Sequence, residues 1–211
     1  AALLQVAKTI TDSPNLQETI NSVVRISPIL VGVKACAIYL LEASQFKPWA
    51  GYGFPDEVEQ LLCKKAFTLG EFPIVDETFT HRKMSVGVLN MDFPEDWLDP
   101  ELAKDDRETN YAIQTSANLL IGIPLTIRKD TYGVLLIHEA ADERKFRQKR
   151  VEILTGIAQQ VSMSIQNDHL QREMVVRERF EHEIQLAKQI QQAFLPEHMP
   201  EIPGWDLGAK W

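Results

Sequence analysis

The sequence predicts an α+β fold, an antiparallel sheet with the terminal helices on one face and a long C-terminal coiled-coil helix extending it, from three observations. Val33 to Leu41 (VKACAIYLL) is an almost unbroken run of apolar strand formers, as a central strand covered on both faces requires. Residues 116–127 and 131–139 carry IGIPLTI and YGVLLIHE, a strand pair joined by Arg128-Lys129-Asp130. From Arg150 to Phe194 nothing interrupts a helix except Gly156, a modest penalty near one end.

The remaining elements follow in order. Leu3, Leu4, Val6, Ala7 and Ile10 give a short first helix its apolar face, and Ser13-Pro14 reads as the N-cap and first helical position of the second. Leu16, Ile20, Val23, Val24, Ser27, Leu30 and Val31 line one side of that second helix, which stops at Gly32. Phe46 to Phe54 is the partner of the central strand, reached through a turn at Glu42 to Gln45. Pro55 opens a short helix from Asp56 to Phe67 with Val58, Leu61 and Leu62 inward, and strands are expected near Phe72 to Asp76 and Lys83 to Leu89. Between Asn90 and Gln114 the chain turns acidic, with Asp92, Glu95, Asp96, Asp99, Glu101, Asp105, Asp106 and Glu108. Such a stretch inside a compact domain is a surface excursion of the kind that borders binding sites.

In the long helix Leu154, Ile157, Ala158, Val161 and Ile165 share one face. The apolar positions continue as Leu170, Met174, Phe180, Ile184, Ala187, Ile190 and Phe194, and Phe180, Ile184, Ala187, Gln191 and Phe194 alternate steps of four and three, a heptad-like seam. Charges of alternating sign from Arg172 to Glu183 suit the solvated flanks of a paired helix. At about 1.5 Å per residue the rod is on the order of 60 Å long, too long for one small domain to bury. A homodimer through the terminal helices and this coil is therefore expected, against the blander reading of a solvated helix.

Composition bounds the rest. With 211 residues, 45% of them hydrophobic, the chain holds a full domain and part of a second. A net charge of -8 argues against a nucleic-acid surface and against anionic membranes. No apolar run reaches the length of a membrane span, and the N-terminus lacks an export pattern, so a soluble, cytoplasmic protein is expected. Cys36 and Cys63 have no paired spacing, which supports neither a disulfide framework nor a zinc site. The five histidines, at 81, 138, 169, 182 and 198, are scattered without ligand spacing.

The order of two helices, apolar strand, Gly51-Tyr-Gly, helix, irregular insert, Ile121-Gly-Ile-Pro-Leu, Tyr132-Gly-Val-Leu and then Leu154-Thr-Gly-Ile-Ala-Gln-Gln-Val resembles a GAF sensor domain over residues 1–169. Glu183 to Pro196 (EIQLAKQIQQAFLP), followed by Met199-Pro-Glu-Ile-Pro-Gly-Trp-Asp-Leu-Gly-Ala, resembles the approach to a bacterial SpoIIE/RsbU-type phosphatase domain of the PP2C fold. The resemblance implies a linker and switch helix over 170–195 and the start of a truncated phosphatase domain over 196–211, with Trp205 to Trp211 as its first strand. It further implies a parent enzyme that uses Mn²⁺ or Mg²⁺ to remove phosphate from Ser or Thr of an anti-anti-sigma-like regulator. The metal-binding aspartates would lie beyond Trp211, so this fragment is expected to have no catalytic residues, no metal and no activity of its own. Two alternatives stay open. One is the input module of a histidine kinase, with His182 followed by an acidic residue as phospho-accepting helices have it. The other is a pure dimerisation scaffold without ligand.

GAF relatives hold small molecules, nucleotides or bilins between the sheet and the inserted helices. By that analogy Trp49, Phe72, Trp97, Tyr111 and Ser116 are candidates for the wall of a ligand site, with ordinary core packing as the competing reading. Cys36 sits in a buried strand and Cys63 is followed by lysine, which counts against a covalent bilin. The basic run Arg144 to Arg150 opposes the helix dipole. It reads either as a small screened cost or as a docking face, at Lys149 and Arg150, for a partner's acidic insert.

Overall fold

The computed structural model describes residues 15–89, 118–139, 147–194 and 203–204. It divides into two compact units, Ala1–Asp168 and His169–Trp211. The expected first helix, the Ser13-Pro14 cap, the acidic excursion and the Trp205 to Trp211 strand lie outside the described residues.

Helix α1 runs Leu16–Val31, and its N-cap is Asn15, whose side-chain oxygen accepts from Glu18 N at 2.8 Å. The short asparagine carbonyl reaches an N–H that has no partner within the helix, so Asn15 carries the cap. Leu16, Ile20, Val23, Val24 and Val31 are buried, and the helix stops at Gly32 (φ 75), whose N–H returns to Pro28 O at 2.9 Å. Pro28 sits inside the helix and has no N–H to give the Val24 carbonyl. The Cys36 thiol donates to that carbonyl instead, at 3.1 Å. Burial, with a smaller contribution from Cys63, pushes the Cys36 pKa up to about 12.

The sheet elements are β1 (Ala35–Glu42), β2 (Gln45–Tyr52), β3 (Phe67–Thr68), β4 (Ser85–Leu89), β5 (Asn118–Ile127) and β6 (Asp130–Glu139), with helices α2 (Asp56–Lys64) and α3 (Pro73–His81) between β2 and β4. All neighbours are antiparallel, in the order β3-β2-β1-β6-β5-β4. β1 and β6 lie at the centre, which is why both are apolar on both faces. Two expectations fail here: the helix from Asp56 stops at Lys64 with Phe67 already in β3, and Phe72 to Asp76 is no strand but the start of α3. Pro73 occupies a first-turn position and Asp76 Oδ2 accepts from Phe72 N at 3.1 Å. These local helix-start signals outweigh the strand preference of Ile74 and Val75.

Side chains alternate between two cores, one on each face. On one face α1 and the helix α4 (Arg147–Ala193) cover Cys36, Ile38, Leu40, Ile121, Ile123, Leu135 and Ile137, with Leu154, Ile157, Val161 and Ile165 supplied by α4. On the other, α2 and α3 cover Ala35, Ala37, Tyr39, Phe46, Leu120, Val134 and Leu136. The terminal helices thus share one sheet face, as the sequence predicts. The β1–β2 register slips between Ile38 and Tyr39: Ile38 faces Ala50 and Tyr39 faces Pro48, leaving Trp49 as the extra residue of a bulge. In the second unit, every described residue of α4 from His169 onward is exposed.

Candidate functional site

The space between the sheet and helices α2 and α3 is lined from below by small residues. A Cβ on Gly51 would lie 2.2 Å from Cys63 Sγ, and one on Gly122 would lie 2.1 Å from Thr78 Oγ1. Both helices therefore sit down on glycine, closer than any side chain would allow. What remains between them is filled by the protein's own rings. The Tyr39 hydroxyl donates to Leu62 O at 2.5 Å, and its ring stands edge-on to Phe67 and Phe72 with centroids 6.1 and 6.0 Å apart. Phe67 lies 5.2 Å from Phe72, and Phe46 lies 5.2 Å from Phe79. Cys63, at the rim, has its pKa raised to about 11 by burial and by Glu59, partly offset by Lys64. Both thiols are thus protonated at neutral pH, the unreactive state for attack on a ligand.

The sequence-predicted wall does not assemble from the residues described. Phe72 is fully buried and belongs to the ring cluster. Trp49 points to the opposite face, against the α1 and α4 core. There its indole N–H donates to Glu42 Oε1 at 2.9 Å, and its carbonyl accepts from Gln17 Nε2 at 2.9 Å. The two aromatics are separated by the sheet. Trp97, Tyr111 and Ser116 lie outside the described residues.

A second constellation escapes the sequence reading. Glu139 ends β6 and Arg150 stands in the first turn of α4, and their side chains form an ion pair at 3% and 8% exposure. Arg150 is therefore committed within its own chain, which corrects its reading as a docking residue; Lys149 remains exposed. Beside the pair, His138 is buried, its carbonyl accepting from Lys34 N at 2.9 Å. An apolar strand that ends in His-Glu, followed by a basic helix start, is the signal that could have found this cluster. Among the described residues no three His, Cys, Asp or Glu side chains come together to hold a metal ion.

The family model of the GAF domain matches residues 15–167. The chain belongs to the GAF domain family. Solved structures agree on the fold. The GAF domain of an Acinetobacter phosphoenolpyruvate-protein phosphotransferase is 19% identical, with a TM-score of 0.59, covering 80% of this chain and 93% of that one. A GAF domain/HD domain protein from Geobacter sulfurreducens is 18% identical, with a TM-score of 0.56 over 78% and 98%. A methyl-accepting chemotaxis protein is 16% identical, with a TM-score of 0.56 over 79% and 98%. No curated protein matches. This is a GAF regulatory sensor domain, of the kind also present in signalling proteins, and no described helix is long and apolar enough to cross a membrane.

In the GAF domain the cluster at the foot of α4 makes a pH prediction. Burial, and secondarily the charge of Lys34, pushes the His138 pKa down to about 4. The unfolded chain takes up this proton at the ordinary histidine value of about 6.5, before the folded one does. The contribution of His138 is therefore intact above about pH 6.5 and falls as pH drops toward 4, costing about 2 kcal/mol across that window. Urea denaturation of wild type and His138→Gln between pH 7 and 4 checks it: the two stability curves should converge at the acid end. Parallel curves would show that His138 titrates normally.

Proposed function

We propose that the chain is the regulatory sensor and dimerisation region of a bacterial signalling phosphatase of the SpoIIE/RsbU type. The observation that carries this reading is the apolar stripe on α4. Leu170, Met174, Phe180, Ile184, Ala187 and Phe194 are all exposed, with Phe180 at 62% and Phe194 at 84%. An apolar stripe of that length in water needs a covering surface. It leads into the Leu-Pro and Pro-Gly-Trp segments that resemble the approach to the phosphatase domain. Two chains associate through the terminal helices and this coil. A small molecule or a partner protein bound at the sensor biases how the paired helices cross, and the face from Ala187 to Phe194 passes that bias to the enzyme, a two-state switch driven from one end. Mn²⁺ or Mg²⁺ belongs to the downstream domain, where it activates water for attack on phosphorus, and no residue described here is assigned to it. The substrate is a regulator of the anti-anti-sigma type carrying phosphoserine or phosphothreonine.

The test uses the protein extended through its downstream coding sequence. With Mn²⁺ it should release phosphate from such a phosphoprotein, and Ile184→Asp should weaken association at least tenfold by burying an unpaired carboxylate in the seam, changing the rate in parallel. Absence of any metal-dependent phosphoserine hydrolysis by the extended protein overturns the phosphatase assignment. Unchanged association in Ile184→Asp overturns the coil.

A further inference from the structure

We infer that the exposed part of α4 pairs with the same segment of a second copy in parallel and in register, Glu183 of each copy facing Lys188 of the other. The inference rests on the association proposed above and adds its direction and register. From Leu170 the alternating steps of three and four run unbroken: Leu170, Glu173, Arg177, Phe180, Ile184, Ala187, Gln191, Phe194. These are the inner positions of a two-stranded coil, and they define its flanks. One flank carries Val176, Glu183 and Ile190; the other carries Met174, Glu181 and Lys188. In a parallel pair a residue on the first flank meets the residue five places on in the partner's second flank. That matches Glu183 to Lys188 twice, once on each side of the two-fold axis.

The inner positions point the same way. In parallel register Phe180, Ile184, Ala187 and Phe194 each meet their own kind. Gln191 meets a second Gln191, whose amide can both donate and accept, the sort of polar layer that fixes register. Glu173 and Arg177 fall in adjacent layers, so each can reach its opposite charge in the partner. The antiparallel arrangement that keeps the apolar seam closed centres near residues 185 and 186. It also brings Glu181 toward Lys188, but it seats Gln191 on Phe180 and Arg177 on Phe194, leaving an amide and a guanidinium desolvated against rings. Within one helix Arg177 already holds Glu181 at 2.9 Å and Arg179 holds Glu183 at 3.1 Å. The Arg179 contact comes from the outer side and leaves Glu183 open toward the partner's Lys188. The seam leaves Val175 and Leu186 on its outer side, still exposed.

Cysteine placed singly at Phe180, Ala187 and Phe194 of the full chain separates the arrangements on mild oxidation. Native Cys36 and Cys63 sit off this segment, so the unsubstituted chain is the control. All three variants should form covalent homodimers on non-reducing gels, because each position faces itself. By sedimentation, Lys188→Glu and Glu183→Lys should each weaken association roughly tenfold, and the two together should restore it to within about twofold. Self-linking at only one position, or linking of Phe180→Cys to Gln191→Cys in a mixture, overturns the parallel register while leaving association intact. Failure of the double charge exchange to restore affinity overturns the Glu183 to Lys188 contact. A monomer at about 100 μM by sedimentation overturns this and the association proposal together.

Discussion

Arg150→Ala is expected to destabilise the GAF domain by about 3–5 kcal/mol, enough to threaten folding of a domain of this size. Glu139 and Arg150 are nearly dry, and their attraction offsets a desolvation penalty that neither could meet alone. Removing the guanidinium leaves a carboxylate at the buried end of β6, with His138 adjacent in the chain. Replacing both partners, as in Glu139→Gln with Arg150→Met, removes the buried charges together and should recover most of the stability. Urea denaturation of the three variants at pH 7 decides it. A loss under about 1 kcal/mol in Arg150→Ala would mean the pair is solvated and the foot of α4 is held by packing alone. The pair also joins β6 to the first turn of α4.

Much of the architecture was legible because it rests on two periods. Continuous burial marked β1 and β6, threes and fours marked α1 and α4, and Gly32 marked the end of α1. What was hidden depends on events the periods do not record. The bulge at Ile38/Tyr39 adds one residue to β2, so Trp49 and Ala50 both face the α1 and α4 core and Gly51 turns to the other side. The β1–β2 turn places Ala43 and Ser44 at φ 48 and 68, with no glycine to announce it. The link from Cys36 to Val24 exists only because Pro28 lies inside α1 and withholds an N–H. Strand-forming Ile74 and Val75 concealed a helix that Pro73 and Asp76 start. The ion pair of Glu139 with Arg150 joins residues that read separately as a strand end and a basic run. For the ligand wall, analogy named ring-bearing residues without knowing which face each would take, and two of them lie on opposite sides of the sheet.

Gly133→Ala is the second substitution with a large expected effect, and its cause is backbone, not side chain. Gly133 lies opposite Leu40 of β1 and Leu125 of β5, in the middle of the sheet. A Cβ there would stand 1.9 Å from Tyr39 O and 2.9 Å from Leu40 Cα. Carbonyl and Cα atoms of a central strand cannot rotate aside as a side chain can. β1 is held on its far edge by β2, so relief requires moving β1 and breaking its ladder to β6. A cost of about 3 kcal/mol or more is expected, at the upper end of overpacking effects. Gly51→Ala is the control, because its nearest obstacle is Cys63 Sγ, and Cys63→Ala in the same chain should recover much of its smaller loss. No side-chain truncation should recover Gly133→Ala in the same way. Displacing Tyr39 would also loosen its hydroxyl from Leu62 O and its ring from Phe67 and Phe72, so near-ultraviolet circular dichroism should weaken even where the protein stays folded. Denaturation midpoints and that spectrum are the two readouts. If both match wild type, Gly133 does not face Leu40 and the β1–β6 register is wrong.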